Sequence, residues 1–128
     1  MPRIPQPFDQ LAALDKTIHE PARLAILTAL SACRSAQFRY LLAITGLTPG
    51  NLSMHVMKLE EKGFIVIEKG FVGKYPATSV HLTAAGRSAI ARHWQQLRDL
   101  EKAARHLKIS EGSLRKTTRV DVAAGILR

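Results

Sequence analysis

Cysteine is almost missing from this sequence. The one thiol, Cys33, in 128 residues excludes an internal disulfide and any metal site built from several thiolates. No apolar run approaches the roughly 18 residues that a membrane-spanning helix needs, so no membrane partner is expected. The opening MPRIPQPFDQ has no apolar stretch after its one basic residue, which is not the pattern of a secretory signal. Cytoplasm is the expected compartment. With 46% hydrophobic and 23% charged residues, the chain is neither collagen-like, low-complexity nor wholly disordered, and its length suits one domain.

Signatures of catalysis are lacking too. Gly70-Phe71-Val72-Gly73-Lys74 does not have the spacing of a phosphate-cradling P-loop. Glu60 and Glu61 are neighbours on a helical segment, so they point about 100° apart and cannot flank one substrate as an acid/base pair. His19, His55, His81, His93 and His106 have no spacing typical of a metal site, and no cofactor is expected. Cys33 precedes Arg34, and a nearby cation favours thiol oxidation; the alternative is a small packed residue.

Acidic residues are outnumbered. Ten Asp and Glu against nineteen Lys and Arg leave a net charge of +9, which suits phosphate-bearing partners, because binding them releases condensed counterions. Ribosomal and membrane-surface proteins are also basic, so charge alone does not decide the partner. From Lys102 on, seven basic residues (102, 105, 108, 115, 116, 119 and 128) face Glu111 and Asp121, a net +5, and the first 101 residues then hold +4.

What is present is a succession of punctuated helices. Three prolines in the first seven residues read as an extended arm, followed by a short helix over about 8–15. Pro21 fits the first position of a buried helix that ends near Ala32. A third helix is predicted over Ala36 to Thr45, with Phe38, Leu41, Leu42 and Ile44 as its apolar side and Gly46 as its stop. Thr48 then fits as an N-cap and Pro49 as the first residue of a fourth helix, which runs to about Lys62 and stops at Gly63. Two helices joined by so short a glycine-containing turn have the form of a helix-turn-helix. Phe64 to Lys69 reads as a strand, Gly70 to Pro76 as a loop and Ala77 to Leu82 as a returning strand. A long helix follows from Ala84 to about Leu107. Its Leu97, Leu100, Ala104 and Leu107 alternate three and four apart, the seam of a helix packing lengthwise on another helix, and Trp94 fits the same interface. Residues 108–128 read as a basic tail. The fold class is therefore mainly α with a small β-hairpin: one domain over 1–107, with a wing at about 64–82 and a dimerisation helix at about 84–107.

Advancing 100° per residue along the fourth helix puts Leu52, Val56 and Leu59 on one stripe. Gly50, Asn51, Met54, Lys58 and Glu61 fall on the opposite side, with His55 at the edge. An open face bearing Asn, His and Lys matches what reading a major groove requires. Thr48 and Ser53 add hydroxyls near a helix start, where phosphates bind. The competing reading is an ordinary solvated face. Lys69 and Lys74 bracket the loop tip, as phosphate contacts or as guards of a sheet edge. Arg39 braces a phosphate backbone or is simply solvated.

The string from Phe38-Arg39-Tyr40-Leu41-Leu42 through Thr45-Gly46-Leu47-Thr48-Pro49-Gly50-Asn51-Leu52-Ser53-Met54-His55 to Lys58-Leu59-Glu60-Glu61-Lys62-Gly63-Phe64-Ile65 resembles winged helix-turn-helix transcriptional regulators of the MarR/ArsR-like superfamily. Arg23, Ile26, Leu27 and Leu30, and Thr78 to Thr83 with Gly86, fit the same pattern, so the resemblance covers about residues 15–100. It implies a homodimer on pseudo-palindromic double-stranded DNA, with the fourth helix in the major groove and the wing at the flank. Thr48, Asn51, Ser53, His55 and Lys58 are then the DNA contacts, with Lys69 and Lys74 in the wing. The sequence lacks the clustered Cys and His of metal-sensing relatives, and it leaves a small-molecule effector open. The alternatives are a protein-interaction adapter on the same fold and a basic RNA- or ribosome-associated protein led by its tail.

Overall fold

The computed structural model describes residues 7–121, with side chains at position 7 and over 9–106. The element order is α1 (Pro7–Ala12), α2 (Pro21–Ser31), β1 (Ala36–Gln37), α3 (Phe38–Thr45), α4 (Pro49–Glu61), β2 (Ile65–Val72), β3 (Tyr75–Leu82) and α5 (Ala84–Asp121). Two units make up the described chain: Leu14–Trp94, and a second containing α1 and α5 from Gln95 onward.

Local chemistry accounts for most boundaries of the first unit. Glu20 caps α2 by accepting a hydrogen bond from the Arg23 N–H, and Pro21 opens the helix. Gly46 ends α3 in the left-handed conformation, φ 69°, where a side chain would be strained. The Thr48 hydroxyl caps α4 by accepting from the Asn51 N–H, and Pro49 follows it. Gly46 and the Thr48 cap stand where the sequence predicts them.

The sheet is antiparallel with strand order β1-β3-β2. Two expectations need correction here. Ala36 and Gln37 do not begin the third helix; they pair with Val80 and Ser79 as a short strand. The wing, in turn, is a longer hairpin than predicted. Val72 pairs with Tyr75, leaving only Gly73 and Lys74 to turn the chain, and Gly70 stays in the ladder opposite Ala77. Gly73 has φ 63° and Lys74 has no positive φ, the pattern that a type II′ hairpin turn demands.

The core joins Ile26, Leu27 and Leu30 of α2, Leu41 of α3, Leu52, Val56 and Leu59 of α4, Ile65, Val80 and Leu82 of the sheet, and Ala89 and Ile90 of α5. Of the predicted apolar side of α3, Leu41 is buried and Phe38 and Leu42 pack partly against the core, whereas Ile44 is 44% exposed.

The last helix does not stop near Leu107 but continues to Asp121. No proline interrupts 108–121, and Gly112 is an isolated glycine that weakens a helix by about 1 kcal/mol without breaking it. The part of the expected tail beyond 121 lies outside the described residues.

Candidate nucleic-acid interface

The three buried residues Leu52, Val56 and Leu59 hold α4 against the core at 0%, 2% and 0% exposure. A helix pinned along one stripe presents the other side outward. Asn51, Ser53, Met54, Met57 and Lys58 are all exposed on that side, as are Thr48 and Gly50 at its start and Glu60 and Glu61 at its end. Gly50, Ser53, Met54, Met57, Lys58 and Glu61 line a shallow open depression of about 440 Å³.

The chemistry of this face is graded along the helix. Its first turns carry amide, hydroxyl and thioether groups, and the N-terminal helix dipole favours anions there. Its last turn carries Glu60 and Glu61, which repel phosphate. Asn51 to Lys58 covers about 10 Å of helix axis, close to three base-pair steps of about 3.4 Å. Such a face can address a short run of base edges from its N-terminal side.

His55 does not join these residues. Its ring is half-buried and turned toward α2, where Nδ1 lies 3.0 Å from a guanidinium nitrogen of Arg23 and 3.6 Å from a carboxylate oxygen of Glu20. The Arg23 guanidinium also donates from Nε to the Thr17 carbonyl. Because Arg is always a donor, the 3.0 Å contact requires His55 Nδ1 to accept. Burial pushes the Glu20 carboxyl up, but the backbone N–H groups of Arg23 and Ala22 and the nearby Arg23 guanidinium outweigh it, and the net shift is downward. His55 therefore sets the orientation of α4 on α2. It is half-buried at the edge of the open face, where Asn51, Ser53 and Lys58 are exposed.

The wing residues also separate. Lys74 stands in the turn, as expected, but Lys69 is inside β2 opposite Thr78, not at the tip. Lys69 and Thr78 instead line a cleft of about 480 Å³ with Phe38, Ser53, Met57 and Glu60. Lys69 thus shares the α4 side of the wing with Ser53. Arg39, exposed at the start of α3, donates from Nε to the Gln37 amide oxygen at 2.9 Å, and it stands beside Val72, Tyr75 and Pro76 in a second cleft. Among the described residues, no group of three His, Cys, Asp or Glu side chains is placed to hold a metal ion, and no helix is long and apolar enough to cross a membrane.

Of the predicted seam, Leu97 and Leu100 are half-buried and Ala104 is exposed, while the Leu107 side chain lies outside the described set. Trp94 is partly engaged by its own unit: it is 38% exposed, and its indole N–H donates to the Thr28 hydroxyl of α2 at 3.2 Å. Cys33 is half-buried, and its thiol donates to the Ala29 carbonyl at 3.5 Å.

Sequence reasoning passed over two pairs of residues. Met54 stands on the predicted open side with Met57 beside it, and a helical wheel gives no reason to single out an apolar residue there. The braces Glu20 and Arg23 were hidden because their partner lies on another helix.

Comparison with known proteins bears on this geometry. The family model described as a winged helix DNA-binding domain matches residues 22–100. An uncharacterised protein of Methanocaldococcus jannaschii is 32% identical over 87 residues, covering 68% of this chain and 95% of that protein. The solved transcriptional regulator homologue from Pyrococcus horikoshii is 28% identical with a TM-score of 0.69, over 75% of this chain and 97% of the other. A MarR family transcriptional regulator from Silicibacter pomeroyi shares the fold with a TM-score of 0.56 at 18% identity, over 81% of this chain and 75% of the other.

Proposed function

This chain belongs to the family of winged helix DNA-binding domains, and from that premise we propose that it is a cytoplasmic homodimeric regulator that occupies a pseudo-palindromic operator in double-stranded DNA. The carrying observation is the open outer side of α4, where Asn51, Ser53 and Lys58 are exposed along a helix pinned by Leu52, Val56 and Leu59. Asn51 pairs bidentately with adenine, and Lys58 donates to guanine or to phosphate. The Thr48 hydroxyl, its oxygen already accepting from Asn51, donates to a phosphate at the helix start. Ser53 and Lys69 face the strand that runs between α4 and the wing, while Lys74 and Arg39 meet flanking phosphates. The alternation of Leu97, Leu100, Ala104 and Leu107 supports a two-fold pairing through α5, which sets half-sites about one helical turn, roughly 10 bp, apart.

Selection of bound duplexes from a random pool tests the reading. A recurrent inverted repeat is expected. Asn51→Ala and Lys58→Ala each lose about 1–3 kcal/mol of preference for it, whereas Lys74→Ala weakens all sequences alike and lowers the salt slope by about 1. Sedimentation at micromolar concentration reports the dimer. If the helix substitutions were silent and removal of residues 108–128 abolished binding, a tail-led contact with RNA would replace this account.

A further inference from the structure

The middle of the α4 reading face is apolar. Met54 and Met57 are 53% and 56% exposed, and neither belongs to the core or to its partly buried rim. At 100° per residue, Met54 stands about 200° from Leu52, opposite the buried stripe, with Met57 at about 140° on the wing side. Asn51 and Lys58 flank them at about 260° and 240°. Gly50, at the N-terminal end, adds no side chain to this face, and the space around it is open.

We infer that Met54 and Met57 form a reading patch for the C5-methyl groups of pyrimidines in the major groove. The inference rests on the proposed entry of α4 into that groove. Most of what a base pair shows there is a hydrogen-bond donor or acceptor, and the C5-methyl is the apolar exception. A thioether answers it well: long, unbranched and polarizable, it adapts to the position of a methyl group and shields it from water. The two side chains are three residues apart, about 4.5 Å along the helix, a little more than one base-pair step of about 3.4 Å. They therefore suit methyl groups on neighbouring base pairs. The polar surroundings favour DNA over an apolar protein partner, because Asn51, Ser53 and Lys58 frame the patch with groups that match base edges and phosphates. Glu61 closes its far end and confines the contact to the turns before it. Thymine and 5-methylcytosine both present this methyl group.

The test uses the full chain and an operator duplex from the pool selection. Replacing each thymine by deoxyuridine removes only the methyl group, and affinity should fall about fourfold at one or two adjacent positions. Met54→Ala or Met57→Ala should keep the wild-type melting temperature, because both side chains are exposed, and should reduce that thymine-to-uracil ratio to near one. In a second arm, cytosines are replaced by 5-methylcytosine. A fourfold gain that is lost in the Met variants assigns the patch to methylated cytosine instead. Flat scans in both arms, with Asn51→Ala still weakening the preference for the operator, overturn the methyl inference and leave DNA binding standing. A uracil penalty that persists in both Met variants overturns it as well, as does a change of oligomeric state in those variants with DNA affinity intact. If the wild-type chain selects no sequence, the DNA reading itself has failed.

Discussion

Gly86 is the position at which one methyl group should do the most damage. A β-carbon there would lie 1.9 Å from the Phe64 carbonyl oxygen, 2.8 Å from its carbon and 3.0 Å from its Cα. These are backbone atoms, so no rotamer change relieves the overlap. The neighbourhood is also tied down. The Phe64 carbonyl accepts from the Thr83 N–H at 3.0 Å, and the Thr83 hydroxyl donates to the Gly63 carbonyl at 2.6 Å while accepting from the Gly86 N–H at 2.9 Å. To admit Ala, the start of α5 must withdraw by more than 1 Å and stretch or break the first two of these bonds. Overpacking of this kind costs about 1–3 kcal/mol, and each lost hydrogen bond about 1 kcal/mol. The better helix propensity of Ala returns about 1 kcal/mol. The net loss is about 3 kcal/mol, which for a unit of fewer than 100 residues lowers the melting temperature by about 12–24 °C. Thermal unfolding followed by far-ultraviolet circular dichroism reads it. Gly50→Ala is the control, because its β-carbon meets nothing, and it should match or slightly exceed the wild type. A Gly86→Ala protein that melts within about 3 °C of wild type would refute the close approach of α5 to the start of the wing.

Two further perturbations probe the frame behind the interface. Arg23→Ala strips the partner from half-buried His55 Nδ1 and from the Thr17 carbonyl, which should cost about 1–3 kcal/mol in urea unfolding; Arg23→Lys should not restore it, because an ammonium cannot reproduce the planar fork, and full rescue by Lys would count against the geometry. His93 is 1% exposed, with Nε2 at 3.1 Å from His19 Nδ1. Burial first, and the neighbouring His19 second, hold its pKa below the usual histidine value, against a smaller upward pull from Asp15. The unfolded chain then binds a proton near pH 6.5 that the folded chain refuses, so stability falls as pH drops through that value and stops falling below the folded pKa. The slope for one proton is at most about 1.4 kcal/mol per pH unit. Urea midpoints at pH 7.5 and 5.5 should show the loss in wild type and a smaller one in His93→Gln; equal losses would exclude His93 as the source.

What could be read in advance divides by the range of the interactions that decide it. The bounds of α4 were plain because Thr48, Pro49 and Gly63 act within one helical turn, and Leu52, Val56 and Leu59 repeat at the helical period. β1 was not, since Ala36 and Gln37 have no pattern of their own and become a strand only by pairing with Ser79 and Val80. The wing is longer than the sequence suggests because its two glycines act differently: Gly73 takes φ 63° and turns the chain, while Gly70 sits in the ladder opposite Ala77. Lys69 moved from the tip to the α4 side of the sheet for that reason alone.

His55 shows where a helical wheel runs out. At about 300° from Leu52 it lies on neither the core stripe nor the open face, and periodicity cannot choose between groove and frame. What engages its ring is Arg23, more than thirty residues earlier in the chain, with a guanidinium nitrogen at 3.0 Å. Met54 is the opposite case. Its angle was unambiguous, but an apolar side chain on the outer face has no meaning until the fold leaves it uncovered. A polar residue at an edge position is therefore weak evidence for contact with a ligand. A contiguous apolar patch opposite the core stripe, such as Met54 with Met57, is stronger evidence that something outside the chain covers it.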